Sequence, residues 1–243
     1  MKLIAYGLAL MVLIFSPPTF SKEKDLKSYV ILLVDFSNSY FTEGRKEVLR
    51  ENFAVLTGAI VSKRKGPKRP VMMTVLPIND SSEASKKLCE FTILKKGLIK
   101  KPKESKNRKI DPDYFETYMN SLCINGILKE PVVGWTDIKG AVSLAGQFGD
   151  TQPKAQKYLV IFSDMFEFRD QRIPVTDSNL NQFKVLVVCS KELNMEKTGK
   201  TFLCMGEQHK WRAVFTKLGA SEVVFVREGS DWGSEITKGL FRE

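Results

Sequence analysis

Tyr29-Val-Ile-Leu-Leu-Val34, continuing into Asp35-Phe36-Ser37-Asn38-Ser39, is the most informative stretch of the chain. Residues 29–34 form an unbroken apolar, β-branched run. It is too short for a helix and has the character of a strand covered on both faces. Similar runs occur on the C-terminal side at 71–76, 158–162, 183–188 and 222–226, with a short edge strand expected at 91–94. Between them, apolar residues at helical spacing predict helices over 47–62, 114–128, 136–148, 210–218 and 232–241. Strands alternating with helices imply right-handed βαβ units. The expected fold class is therefore α/β, a doubly wound, mostly parallel sheet with helices on both faces. Ligands in such folds bind beyond the carboxyl ends of the strands, which directs attention to the residues just after Val34, Leu76, Phe162 and Val188.

Directly after Val34 stands Asp-x-Ser-x-Ser: Asp35, Ser37 and Ser39. A carboxylate and two hydroxyls at alternate positions of a strand-end turn can face one oxygen-rich concavity. Asn38 suits such a turn because asparagine tolerates positive φ. Oxygen donors of this kind suit Mg²⁺, Mn²⁺ or Ca²⁺ better than zinc. Taken alone, the motif reads equally as an N-cap turn leading into the next helix. Two further pieces join it. Gly134-Trp135-Thr136-Asp137 stands before an expected helix, and Phe162-Ser163-Asp164-Met165 puts a carboxylate at another strand end.

In this order and context the chain resembles the von Willebrand factor A family, whose metal-ion-dependent adhesion site is built from these three loops. The resemblance spans residues 27–243. It implies that Ser37, Ser39 and Thr136 are direct metal ligands and that Asp35 and Asp164 reach the metal through water. Such a shell neutralises the cation poorly and keeps one position open, which the resemblance assigns to a carboxylate from a partner protein. It also implies a non-catalytic protein-binding role, with Mg²⁺, or Mn²⁺ or Ca²⁺, as the ion. The sequence departs from the family pattern in two places: Met165 and Asn38 stand where glycine is frequent.

The composition fits a folded, exported chain. Apolar residues make up 43% of 243 and charged residues 27%, which excludes disorder as a description of the whole. A single histidine, His209, argues against His-based catalysis and His-rich metal sites. At the N-terminus a lysine precedes thirteen uncharged residues, 3–15, then Pro17-Pro18 and small residues at Thr19 and Ser21. A helix of that length covers about 20 Å of a hydrocarbon core of roughly 30 Å. Residues 1–21 therefore read as a signal peptide, cut near Ser21, with an uncleaved anchor as the alternative. The expected organisation is that leader and then one domain over 27–243 with a basic insertion at about 80–130. The expected destination is periplasmic or secreted, with no span after cleavage.

Export makes two disulfides the default for Cys89, Cys123, Cys189 and Cys204. Three pairings exist. Cys89–Cys123 and Cys189–Cys204 are favoured because each pair brackets one irregular excursion. Free buried thiols are the alternative.

The formal charge of +10 is local. Residues 63–69 hold five basic side chains, and 95–109 hold eight against one acidic, so the two stretches carry +12 and the rest −2. Such blocks are either solvated faces or contacts for something anionic, with Lys100, Lys101, Lys103 and Lys106 as the candidate contacts. The absence of an aromatic in 95–109 argues against nucleic acid. Two other functional readings stand beside the binding module. One is a structural subunit of an envelope assembly with a degenerate metal site. The other rests on Ile31-Leu-Leu-Val-Asp35, which resembles the isochorismatase-like cysteine hydrolases and would make Cys189 a nucleophile.

Overall fold

A computed structural model describes residues 28–41, 45–61, 70–94, 109–110, 114, 117–134, 136–166, 179–190, 193–195, 200–202, 204–229 and 232–234. The expected leader, the lysines at 63–69, Lys100, Lys101, Lys103 and Lys106, Trp135 and most of the expected terminal helix lie outside these residues.

The opening apolar run is the central strand. β1 (Ser28–Asp35) has all eight residues buried. It pairs in parallel with β2 (Val71–Ile78) on one side and β5 (Gln156–Ser163) on the other. β6 (Phe183–Cys189) and β9 (Glu222–Arg227) extend the sheet in parallel beyond β5. Beyond β2 come β3 (Cys89–Ile93), antiparallel, and the two-residue β4 (Lys109–Ile110). The seven-stranded order is β4-β3-β2-β1-β5-β6-β9. The strand expected at 91–94 is therefore β3, and β4 lies outside it.

Alternation along β1 splits the core into two layers. Val30, Leu32 and Val34 face α1 (Arg45–Val61), whose Phe53 and Leu56 join Phe162 and Trp232 in one cluster. Phe53 and Trp232 both meet Phe162 edge-on, at 5.8 and 5.5 Å between centroids. Tyr29, Ile31 and Leu33 face the other layer, formed by α2 (Ile138–Asp150) and α3 (Gln208–Lys217). Helices on both faces explain why β1 reads as continuous apolar sequence rather than as alternation.

The region expected as a helix over 114–128 contains a π-helical stretch, Met119–Ile124, before the short helix Asn125–Ile127. Cys123 lies in that stretch and pairs with Cys89 at the start of β3. The second bridge is Cys189–Cys204, so both favoured pairings are those of the structure. The excursion between Cys189 and Cys204 is not wholly irregular. It contains an antiparallel hairpin, β7 (Leu193–Met195) with β8 (Lys200–Phe202), which its mixed polar sequence does not announce. Among the described residues no helix is long and apolar enough to cross a membrane.

Candidate functional site

Strand order reverses at β1: the chain leaves β1 for β2 and β3, then returns to its other side as β5. The carboxyl ends of β1 and β5 therefore flank a topological switch point, where a crevice opens in this architecture. Val34 and Phe162 are register partners, so Asp35 and Ser163 emerge side by side. The Ser163 hydroxyl donates to Asp35 Oδ2 at 2.6 Å and accepts the Met165 N–H at 2.8 Å. Asp35 Oδ1 accepts the Ser37 N–H at 2.8 Å, an Asx-type turn that folds the chain back immediately after the strand. The turn closes with Tyr40 and Phe41 N–H groups donating to the Ser37 carbonyl at 3.1 and 2.7 Å. Its two hydroxyls, Ser37 Oγ and Ser39 Oγ, lie 2.9 Å apart.

The third loop is held to the first by backbone. Val133 N–H donates to the Phe36 carbonyl and Asn38 N–H to the Val133 carbonyl, both at 2.9 Å. Asp137 N–H donates to the Asn79 carbonyl beyond β2, at 2.9 Å. Thr136, 3% exposed, is thus carried to the same end of the sheet. Its neighbour Asp137 caps α2 by accepting the Gly140 N–H at 2.9 Å. A Cβ on Gly140 would meet that carboxylate at 2.1 Å, so this capping geometry requires glycine.

Asp164 stands just after β5 and is 1% exposed. Its Oδ1 accepts the Phe166 N–H at 2.8 Å. Its Oδ2 is buried without a hydrogen-bond partner among the described residues. Burial raises both carboxyls. Asp35 is pushed to about 7 by desolvation first and by the charge of Asp164 second, against the hydrogen bonds from Ser163 and Ser37. Asp164 is raised by desolvation, opposed by the neighbouring Ser39 hydroxyl, the Phe166 N–H and the charge of Arg45. Two buried carboxyls whose ionisation is costly, one with an orphaned oxygen, beside paired hydroxyls, form a donor set that fits a hard divalent cation. No group of three or more His, Cys, Asp or Glu side chains converges among the described residues, so any cation here depends on hydroxyl and carboxylate oxygens together. Of the expected ligands, Ser39 alone is more than slightly exposed.

Arg45 anchors the neighbouring wall. Its guanidinium pairs with Glu228 at 2.7 Å, stacks 4.8 Å from the Tyr40 ring centroid, and donates through Nε to the Tyr40 carbonyl at 3.3 Å. Asn52 Nδ2 donates to Glu228 Oε1 at 2.8 Å. Sequence reading did not find this cluster, because Arg45 and Glu228 are 183 residues apart and neither lies in a motif. Ser163 could have been found from its place between a buried strand and Asp164. Cys189 is fully buried and disulfide-bonded, which removes the thiol that the hydrolase reading needs. His209 is exposed in the first turn of α3.

No protein-family model and no curated protein matches the chain. Solved structures do. A von Willebrand factor type A protein from Catenulispora acidiphila aligns with a TM-score of 0.56 at 14% identity, over 90% of this chain and 44% of that one. The pilus adhesin SpaC from Lactobacillus rhamnosus GG aligns with a TM-score of 0.52 at 10% identity, over 88% of this chain and 31% of that one. The chain thus spans less than half the length of either. At these identities the likeness is one of fold, and the fold is that of a von Willebrand factor A domain.

Proposed function

We propose that this chain is an exported, non-catalytic binding module in which Asp35, Ser37, Ser39, Thr136 and Asp164 hold a divalent cation, Mg²⁺ or alternatively Mn²⁺ or Ca²⁺. The observation that carries this reading is the orphaned Asp164 Oδ2, buried beside the Asp35 carboxyl and the Ser37–Ser39 hydroxyl pair at the strand switch point. A cation offsets the desolvation of both carboxylates. When bound, the ion supplies an electrophilic position for an acidic side chain of a protein partner. The chain's own residues do the rest. Ser163 orients Asp35, the Val133 bridge sets the spacing of the first and third loops, and the Arg45–Glu228 pair fixes the wall beside them.

The accompanying organisation is a leader at 1–21 and one domain over 27–243, with the basic insertion contributing a separate contact for an anionic surface. Two disulfides suit export to a periplasmic or extracellular destination. A second reading, a structural subunit with a degenerate site, is favoured by Met165 and Asn38 in place of glycine. Calorimetric titration with Mg²⁺ and Mn²⁺, then capture from envelope extract with and without chelator, separates the two. Heat of binding that disappears in Asp35→Ala, together with a chelator-sensitive partner, supports the metal-dependent module. No heat with either ion leaves the structural reading.

A further inference from the structure

Next to Asp164 stands Met165, whose φ of +58° is left-handed, a region that costs an unbranched L-residue and that glycine enters freely. Three features hold methionine there. Its side chain is 1% exposed within the α2/α3 layer, its N–H donates to Ser163 Oγ, and its carbonyl accepts the indole Nε1–H of Trp211 at 3.1 Å. The Met165 carbonyl and the Phe166 N–H belong to one peptide unit. That unit is gripped on one side by Trp211 and on the other by Asp164 Oδ1, which accepts the Phe166 N–H. With Oδ1 so engaged, Oδ2 is the oxygen left for the site.

Trp211 is itself braced. It is 4% exposed and stacks on Phe215 at 5.9 Å. Its helix begins four residues after Cys204, which is bridged to Cys189, the register partner of Ser163. The bracing therefore runs from the end of β5 through β6, the disulfide and α3 back to the Asp164 turn.

We infer that Trp211 is a positioning residue: its indole N–H clamps the Met165–Phe166 peptide and thereby aims Asp164 Oδ2 into the candidate site. The metal consequence rests on the reading proposed above, whereas the clamp itself does not.

Trp211→Phe removes the N–H and keeps an aromatic ring, while Phe215→Leu loosens the same helix and keeps the N–H. In the purified, metal-free protein, hydrogen exchange of the Phe166 amide should quicken about tenfold in Trp211→Phe and stay within about twofold of wild type in Phe215→Leu. Mn²⁺ titration should show about tenfold weaker binding in Trp211→Phe alone, the usual scale for loss of an outer-shell partner. Equal effects of the two substitutions, or none from Trp211→Phe, would overturn the inference. If wild type takes up no Mn²⁺, the metal reading has failed, and Phe166 exchange still decides the clamp. Should Trp211→Phe not fold, the wild-type Trp211 indole resonance serves: slow exchange of its N–H supports the clamp and rapid exchange refutes it, whereas a shift on Mg²⁺ addition bears on the metal consequence alone.

Discussion

Replacing Asp35 with asparagine is expected to stabilise the metal-free protein at pH 8 while abolishing its cation binding. Asp35 is fully buried, and burial, reinforced by the charge of Asp164, raises its carboxyl from 3.8 to about 7. Between these values the unfolded chain has lost the proton that the folded chain keeps. Stability contributed by this group is therefore full below the unfolded value and falls as pH rises, levelling off above pH 7. A separation of about three pH units amounts to about 4 kcal/mol at pH 8 and less than half of that at pH 5. Asparagine keeps an oxygen for the Ser37 N–H but gives up the acceptor of the 2.6 Å bond from Ser163, a loss of about 1 kcal/mol. The net gain for Asp35→Asn is about 3 kcal/mol at pH 8 and well under half of that at pH 5. For a chain of this size the larger figure corresponds to roughly 6–12 °C in Tm. Urea and thermal unfolding in EDTA at both pH values measures it. Mg²⁺ at 100 times its Kd should return about 2.7 kcal/mol to wild type and nothing to the variant. If Asp35→Asn were no more stable than wild type at pH 8, or its advantage did not shrink at pH 5, the electrostatic account of the site would be wrong.

Ser37→Ala plus Ser39→Ala should abolish Mn²⁺ heat and chelator-sensitive capture while leaving urea unfolding in EDTA within about 1 kcal/mol of wild type, since the hydroxyls lie outside the apolar layers. Arg45→Met leaves Glu228 buried and short of its cation, so stability should fall by about 3 kcal/mol, with Arg45→Met plus Glu228→Met recovering most of it in a double-mutant cycle. Non-reducing peptide maps should give linked Cys89–Cys123 and Cys189–Cys204 fragments, and reduction should cost roughly 3–4 kcal/mol per bridge by loop-closure entropy. Replacing Lys100, Lys101, Lys103 and Lys106 with Gln should slow partner association and flatten its salt dependence without altering chelator sensitivity, because outlying charges act mainly on encounter rate.

The strands and their order of use were legible in the amino-acid pattern alone. Residues 29–34, 71–76, 158–162, 183–188 and 222–226 all lie within β1, β2, β5, β6 and β9: strands covered on both faces are nearly continuously apolar, whereas the edge strand β9 is buried only at alternate positions. The same logic marked the ends of β1 and β5 as the place to look, and Asp35, Ser37, Ser39 and Asp164 meet there with the Thr136 loop drawn alongside. The four cysteines allow three pairings that the sequence cannot decide; the favoured one, in which each bridge brackets one excursion, is the pairing of the structure. Local pattern failed where polar or short segments gain their shape from neighbours. The π-helical stretch Met119–Ile124, the hairpin of β7 with β8, and the two-residue β4 carry no periodicity of their own.

The electrostatics emerged only once the chain was folded. Nothing in Asp-x-Ser-x-Ser says that Asp35 is fully buried or that Asp164 keeps one oxygen unpartnered, because both depend on how closely β1 and β5 are covered. Nor can a motif show that Arg45 meets Glu228, or that Trp211 reaches Met165 across 46 residues. Pattern along a chain reports which residues avoid water. Which buried polar groups then face one another is set by the register of strands and the placement of helices brought together from distant parts of the sequence.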